Sequence, residues 1–281
     1  MSAFATSVLS AASTLPPEAQ AVEEFLARLL SPEAQRGPIG DAMRYAVFGA
    51  AGRIRPILAL RTGRIAGSPV ALTVRASAAV ELLHCASLIV DDLPCMDNDA
   101  ERRGRPSVHI QFGEATAVLA AHSMVALAAR SLVSRDVPAE YLHDMLRFQS
   151  KLLEALDANG LCGGQQMDLD GSASSARITE LKTVPLFRLA VEAGAVGGKL
   201  WDQWRFPLRS FAREIGVVYQ MTDDFLDGEL DDRNALEEHY AIARQSLAPL
   251  GPVQAAPLLD LLEGLHARVP NAGQQQQQSP A

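Results

Sequence analysis

Apolar stretches at helical spacing run through nearly the whole of this chain, separated by short connections containing Gly or Pro, and clusters of strand-forming residues are sparse. A chain patterned in this way must bury its apolar stripes by packing helix on helix. The spacing predicts helices over 18–31, 39–50, 53–66, 70–93, 112–133, 138–158, 177–200, 208–227, 234–247 and 252–267. Together they predict one all-α domain over 19–268. Residues 1–18, rich in Ala and Ser and ending in Pro16-Pro17, read as a flexible leader, and residues 269–281, with Gln274 to Gln278 in a row, as a disordered tail.

Two of the helical stretches end in packed carboxylates: Asp91-Asp92-Leu93-Pro94-Cys95-Met96-Asp97 and Asp223-Asp224-Phe225-Leu226-Asp227. Such groups repel one another unless something positive binds, and oxygen-only ligation suits Mg²⁺ bridging to phosphate. Two clusters facing each other would hold a diphosphate through several ions. One cluster alone is an ordinary helix-end feature; a pair with flanking Arg and Gln is not.

Helical geometry orders these residues further. In 208–227, Ser210 suits a helix start and Gly228 a left-handed stop. Phe211, Ile215, Val218, Thr222 and Phe225 share one stripe, while Gln220, Asp223 and Asp227 share another. Asp223 and Asp227 can therefore share a metal one turn apart, with Asp224, rotated by about 100°, serving a second. In 70–93, His84, Ser87 and Asp91 lie on one face, His84 roughly 10 Å before Asp91 along the axis. Pro94 ends that helix, so Asp97 arrives from a loop. Arg102, Arg103 and Arg105 follow at once, and Arg suits bidentate phosphate contacts.

Composition narrows the partners. A formal charge of −8 argues against a nucleic-acid backbone, and an anionic substrate then needs metal ions or local Arg/Lys patches. Cys85, Cys95 and Cys162 are too scattered for a disulfide framework or zinc cage, and read as free thiols of a reducing cytoplasm. No basic-then-apolar secretory signal opens the chain. The longest apolar run, Ala115 to Ala129, is shorter than a membrane span and interrupted by Thr116, His122 and Ser123. No Ser-His-Asp or Cys-His constellation stands out.

These motifs resemble the trans (head-to-tail) isoprenyl diphosphate synthases, the geranylgeranyl and farnesyl diphosphate synthases in particular. Both aspartate-rich regions match, the first with its two-residue insertion and following Arg-Arg-Gly-Arg-Pro. In the same order stand Met43-Arg44-Tyr45, Arg53-Ile54-Arg55-Pro56, Phe112-Gly113-Glu114-Ala115, Gly163-Gly164-Gln165 with Asp168, and Lys182-Thr183. The resemblance covers roughly residues 40–230. It implies a single-domain all-α bundle around a deep central cavity, usually a homodimer, with a heteromer as the alternative. It implies an allylic diphosphate held by three Mg²⁺ ions on Asp91, Asp92, Asp97, Asp223 and Asp227, and gripped by Arg102, Lys182, Thr183 and Gln220. Isopentenyl diphosphate would lie on Arg55, His84 and Arg103. The small Ala86 and Ser87, before the first aspartate, would floor a chain-length pocket that admits the twenty-carbon product.

The chain also departs from that family. Gly52 stands where a lysine normally grips isopentenyl diphosphate, with Arg53 as the adjacent substitute cation. His122 replaces a commonly acidic position. After Asp227 the usual Gly-Lys-Asp segment is missing. Three readings remain beside a geranylgeranyl diphosphate synthase: a farnesyl diphosphate synthase, a terpene cyclase on the same scaffold, and a noncatalytic partner subunit of an active synthase.

Overall fold

The computed structural model describes residues 15–49, 51–228, 230 and 232–269. The leader and tail expected at 1–18 and 269–281 lie almost wholly outside the described residues; Pro17 and Glu18 already belong to the first helix. The helices are α1 (Pro17–Leu29), α2 (Gly37–Val47), α3 (Ile54–Ala66), α4 (Val70–Asp91), α5 (Val108–Phe112), α6 (Glu114–Leu132) and α7 (Leu142–Glu154). Then come α8 (Leu161–Leu169), α9 (Ser175–Lys182), α10 (Val184–Ala195), α11 (Trp201–Leu226), α12 (Arg233–Ser246) and α13 (Gly251–His266). One two-residue antiparallel ribbon, β1 (Glu101–Arg102) with β2 (Arg105–Pro106), interrupts them.

The bundle forms around α4, whose side chains are buried all round the helix from Leu72 to Ala86. A helix of that kind has no solvent face and must be surrounded. α1, α3, α6 and α10 pack on it. Close approach is enforced where α10 crosses α3: a Cβ on Gly194 would sit 2.4 Å from the Ala59 carbonyl oxygen and 2.6 Å from Thr62 Cβ. Only glycine fits that crossing. Because α4 and α11 both deliver their C-terminal ends to one end of the bundle, the two acidic clusters arrive together.

Several predicted boundaries shift for identifiable reasons. The stretch 112–133 breaks at Gly113, whose φ of 86° no β-carbon tolerates easily. The stretch 177–200 divides at Thr183, because Pro185 belongs in the first turn of a new helix. The glycine pair at 163–164 lies inside α8 instead of breaking it, and a Cβ on Gly164 would lie 2.8 Å from Leu181 Cβ. Ser210 caps nothing: α11 begins at Trp201 and carries Pro207 inside it, where the bond it forfeits to Gln203 faces solvent. Gly228 does take the left-handed turn, at φ 78°.

Arg53 holds the entrance to α3. It occupies the left-handed region at φ 50°, fully buried, and its guanidinium bonds Glu23 of α1, Glu81 of α4 at 2.5 Å and the Val47 carbonyl at 2.7 Å. Burial alone would lower its pKa, but Glu81 and Glu23 more than reverse that. Arg53→Met should therefore strand two buried carboxylates and cost about 3–5 kcal/mol of stability in urea unfolding. A loss below about 1 kcal/mol would show that the ion triad is not holding these three helices together.

Candidate active site

α4 ends at Asp91, and the loop beyond Pro94 folds back so that the Asp97 amide bonds the Asp91 carbonyl at 2.9 Å. Asp97 thus comes from the loop, as its spacing requires. Asp92 is buried and accepts from Arg102 Nε at 2.8 Å; Arg102 also bonds Asp99 at 2.5 Å. Asp97 accepts from Gln165 Nε2 at 3.1 Å, and Lys182 Nζ donates to Asp168 at 2.7 Å. The close packing of α8 on α9 sets Gln165 and Asp168 opposite the first cluster.

Asp91 makes no ion pair with a cation among the described residues, and neither do Asp97 and Asp224, whose side chains accept from Gln165 and Gln220. Burial pushes the Asp91 pKa up to about 6, a rise that Lys182 and Arg102 moderate and that Asp97 and Asp92 reinforce. Burial likewise raises Asp92 against Arg102, and Asp223 against Arg268. A desolvated carboxylate beside two more carboxylates is a donor set for a hard cation, so the residues fit Mg²⁺. No three His, Cys, Asp or Glu side chains converge on one point among the described residues. Each cluster would therefore supply only part of a cation's coordination sphere.

The second cluster divides its duties. Thr183 Oγ1 donates to Gln220 Oε1 at 2.7 Å, and Gln220 Nε2 donates to Asp224 at 2.7 Å, which ties the α9–α10 junction to α11. Asp223 accepts from Arg268 at 3.0 Å. Asp227 is exposed at the helix end, its amide on the Asp223 carbonyl at 3.0 Å. Beyond it the chain crosses to α12 by Asp232, whose side chain accepts from the Ala235 amide at 3.0 Å. That connection is short, in keeping with the missing segment; residues 229 and 231 lie outside the described residues.

A third group, two arginines around one histidine, stands before Asp91 along α4. Arg55 and Arg103 both reach His84 Nε2, at 3.2 and 3.4 Å. Burial and the two guanidinium groups hold the His84 pKa well below its ordinary value, so the ring is neutral and accepts at Nε2. Arg55 is buried, rests on Phe187 (4.9 Å) and Tyr219 (5.5 Å), and leaves its Nε with no partner. Two guanidinium groups sharing one neutral acceptor are poorly compensated, which suits an anion. They line a cavity of about 560 Å³ with Gly52, Tyr219 and Arg268.

Gly52 faces open space on this rim, with nothing within 4 Å of where a Cβ would stand. The expectation that Arg53 substitutes for the missing lysine is corrected: its guanidinium is committed to Glu23 and Glu81. Arg105 bonds the Tyr45 carbonyl at 2.6 Å and stacks on that ring. His122 bonds the Val118 carbonyl on the exposed side of α6. Ala86 is buried one turn before the exit of α4, and Ser87 bonds the His84 carbonyl at 2.9 Å. Arg268 escaped the sequence reading: an arginine just past the last helix carries no motif, and only the folding back of α13 brings it to Asp223.

The helical bundle gathers two aspartate clusters and the Arg55–Arg103 pair, of which Arg55 is buried, at one end. Comparison places the chain: residues 38–237 match the polyprenyl synthetase family model, and the chain belongs to that family. It is 40% identical over 202 residues to geranylgeranyl pyrophosphate synthase 10 of Arabidopsis thaliana, covering 67% of this chain and 57% of that protein. The chain thus spans a little over half the length of that relative. It is 37% identical over 215 residues to the farnesyl diphosphate synthase of Escherichia coli, covering 74% and 71%. A geranyltransferase structure from Legionella pneumophila superposes with a TM-score of 0.80 at 34% identity, covering 94% and 97%.

The raised Asp91 pKa has a direct consequence without metal. A carboxyl whose folded pKa exceeds its unfolded value binds a proton more readily when folded. Its charge therefore opposes folding above about pH 6, and this penalty fades as pH falls from 6 toward 4. With chelator present, Asp91→Asn should raise stability at pH 8 and narrow the gain on acidification from 8 to 5.5. An identical stability–pH curve for the variant and the parent would contradict this environment for Asp91.

Proposed function

We propose that this chain is an Mg²⁺-dependent head-to-tail prenyltransferase that condenses isopentenyl diphosphate with an allylic diphosphate, ending at the twenty-carbon geranylgeranyl diphosphate. The observation that carries the reading is the juxtaposition of two anion sites of different kinds. One is built from carboxylates and needs cations; the other is the Arg55–His84–Arg103 group and needs none.

Three Mg²⁺ ions bound by the clusters would neutralise the departing diphosphate and so favour ionisation of the allylic carbon. Asp91, Asp92, Asp97, Asp223 and Asp227 are their proposed ligands. Arg102 and Lys182, both held by carboxylates in the free chain, would turn to the allylic diphosphate, and Thr183 and Gln220 would orient it. Arg55, His84 and Arg103 would hold isopentenyl diphosphate with its double bond toward the allylic carbon. A carbon–carbon bond then forms, the allylic diphosphate leaves with the bonding pair, and the released diphosphate accepts the proton lost from the new chain. No protein nucleophile is required.

The product length is read from Ala86 and Ser87, small side chains before the first cluster that would leave room for a longer allylic tail. Both farnesyl and geranylgeranyl synthases stand among the relatives, so this residue pair is the discriminating feature. Self-pairing is supported by α6, which is apolar enough to span a membrane by length and composition but only 44% buried. Its exposed Val118 and Leu119, with Leu142, Leu146 and Leu153 near and along α7, form an apolar face suited to a second copy.

The test is to incubate the chain with Mg²⁺, isopentenyl diphosphate and allylic starters of five, ten and fifteen carbons, identifying products by mass. A twenty-carbon diphosphate is expected, shortened to fifteen carbons in Ala86→Phe. A hydrocarbon or alcohol without elongation would instead indicate a cyclase. No turnover unless another synthase is added would indicate a partner subunit.

A further inference from the structure

At the opposite end of the bundle, far from the carboxylates, α3 and α10 finish and α4, α11 and α13 begin; the Leu200 amide bonds the Ala66 carbonyl there at 2.9 Å. The three most exposed large apolar side chains among the described residues all belong to this end: Val253 at 85%, Phe206 at 70% and Val70 at 65%. Leu200 is exposed beside them. Both tryptophans of the chain, Trp201 and Trp204, stand in the same first turns of α11.

Cations are interleaved with this apolar set. Arg64, Lys199 and Arg209 are exposed, and Arg205 lies over the Phe206 ring at 4.9 Å. Arg209 lies over Trp201 at 5.4 Å. A cleft of about 260 Å³ beside them is edged by Arg147, Lys151, Arg205 and Arg209. The buried Nε of Arg205 and the indole N–H of Trp204 have no partner. Glu192 compensates Lys151 and Arg209, and Asp202 stands 3.6 Å from Arg205. In a chain of net charge −8, a local excess of cations among exposed aromatics runs against the average.

Exposed Phe206, Val253, Val70 and Leu200 rimmed by Arg and Lys, with the half-buried Trp201 and Trp204 at their base, match a bilayer interface, where apolar side chains enter and cations meet anionic phosphates. We propose that this end of the bundle docks on an anionic membrane surface, with Phe206, Val253 and Val70 entering the acyl boundary and the arginine-edged cleft receiving a lipid headgroup phosphate. The docking is peripheral and leaves the carboxylate end facing away from the lipid.

Because both tryptophans lie at the base of this surface, intrinsic fluorescence reports on it alone. The full chain is titrated with phosphatidylcholine vesicles, with and without phosphatidylglycerol, and the same samples are floated on a density gradient. Expected are a blue-shifted emission and co-flotation with the anionic vesicles, both reversed by high salt. Phe206→Asp with Val253→Asp should lower partitioning about tenfold or more while circular dichroism stays unchanged. No shift and no flotation, equal binding to uncharged vesicles, or equal binding by the double variant would each overturn the proposal. So would a blue shift that follows protein concentration without lipid, which would assign the face to a second copy. None of these readouts depends on prenyl transfer.

Discussion

The buried ion triad of Arg53 with Glu23 and Glu81 is the interaction on which the working end depends. It joins α1, the start of α3 and the middle of α4 at one point. It also engages Glu81, the carboxylate that acts on Arg55. Burial lowers the Arg55 pKa, and Glu81 offsets this only in part. Arg55 is left with His84 and two aromatic faces, so the Arg55–Arg103 pair remains short of negative charge. A structural ion pair thus leaves positive charge that an anion would compensate.

Charge is sorted within the rest of the site by the same logic. Arg102 and Lys182 are stored on Asp92, Asp99 and Asp168, and Arg268 on Asp223. Asp91, between them, has no such partner and is desolvated instead. Cations entering at Asp91 and Asp223 would compete with Arg268 and release basic groups toward the incoming phosphates. The rim at Gly52 stays open, so a second anion site here would rely on Arg55 and Arg103 rather than on a surface ammonium group.

Much of this was legible in the sequence, because helical periodicity and cluster spacing are local. The stripe Phe211, Ile215, Val218 and Thr222 is buried, and Asp97 does arrive from a loop. What escaped was set by tertiary packing. Gly163-Gly164 has the composition of a break but serves as a flat surface for Leu181. Arg53 looks like a free cation until Glu23, thirty residues away, is folded onto it. Arg268 and the exposed aromatic turn at 201–206 carry no spacing rule; their meaning comes only from what the folded chain places beside them.

The central claim is that one end of the bundle holds two diphosphate sites, one dependent on divalent cations and one built from arginine alone. Calorimetry with isopentenyl diphosphate and a non-ionising allylic thiolodiphosphate, each with Mg²⁺ or with chelator, tests it most directly. The account requires isopentenyl diphosphate to bind in the presence of chelator, and the allylic analogue to bind only with Mg²⁺. Equal metal dependence of the two ligands, or metal-free binding of the allylic analogue, would contradict it.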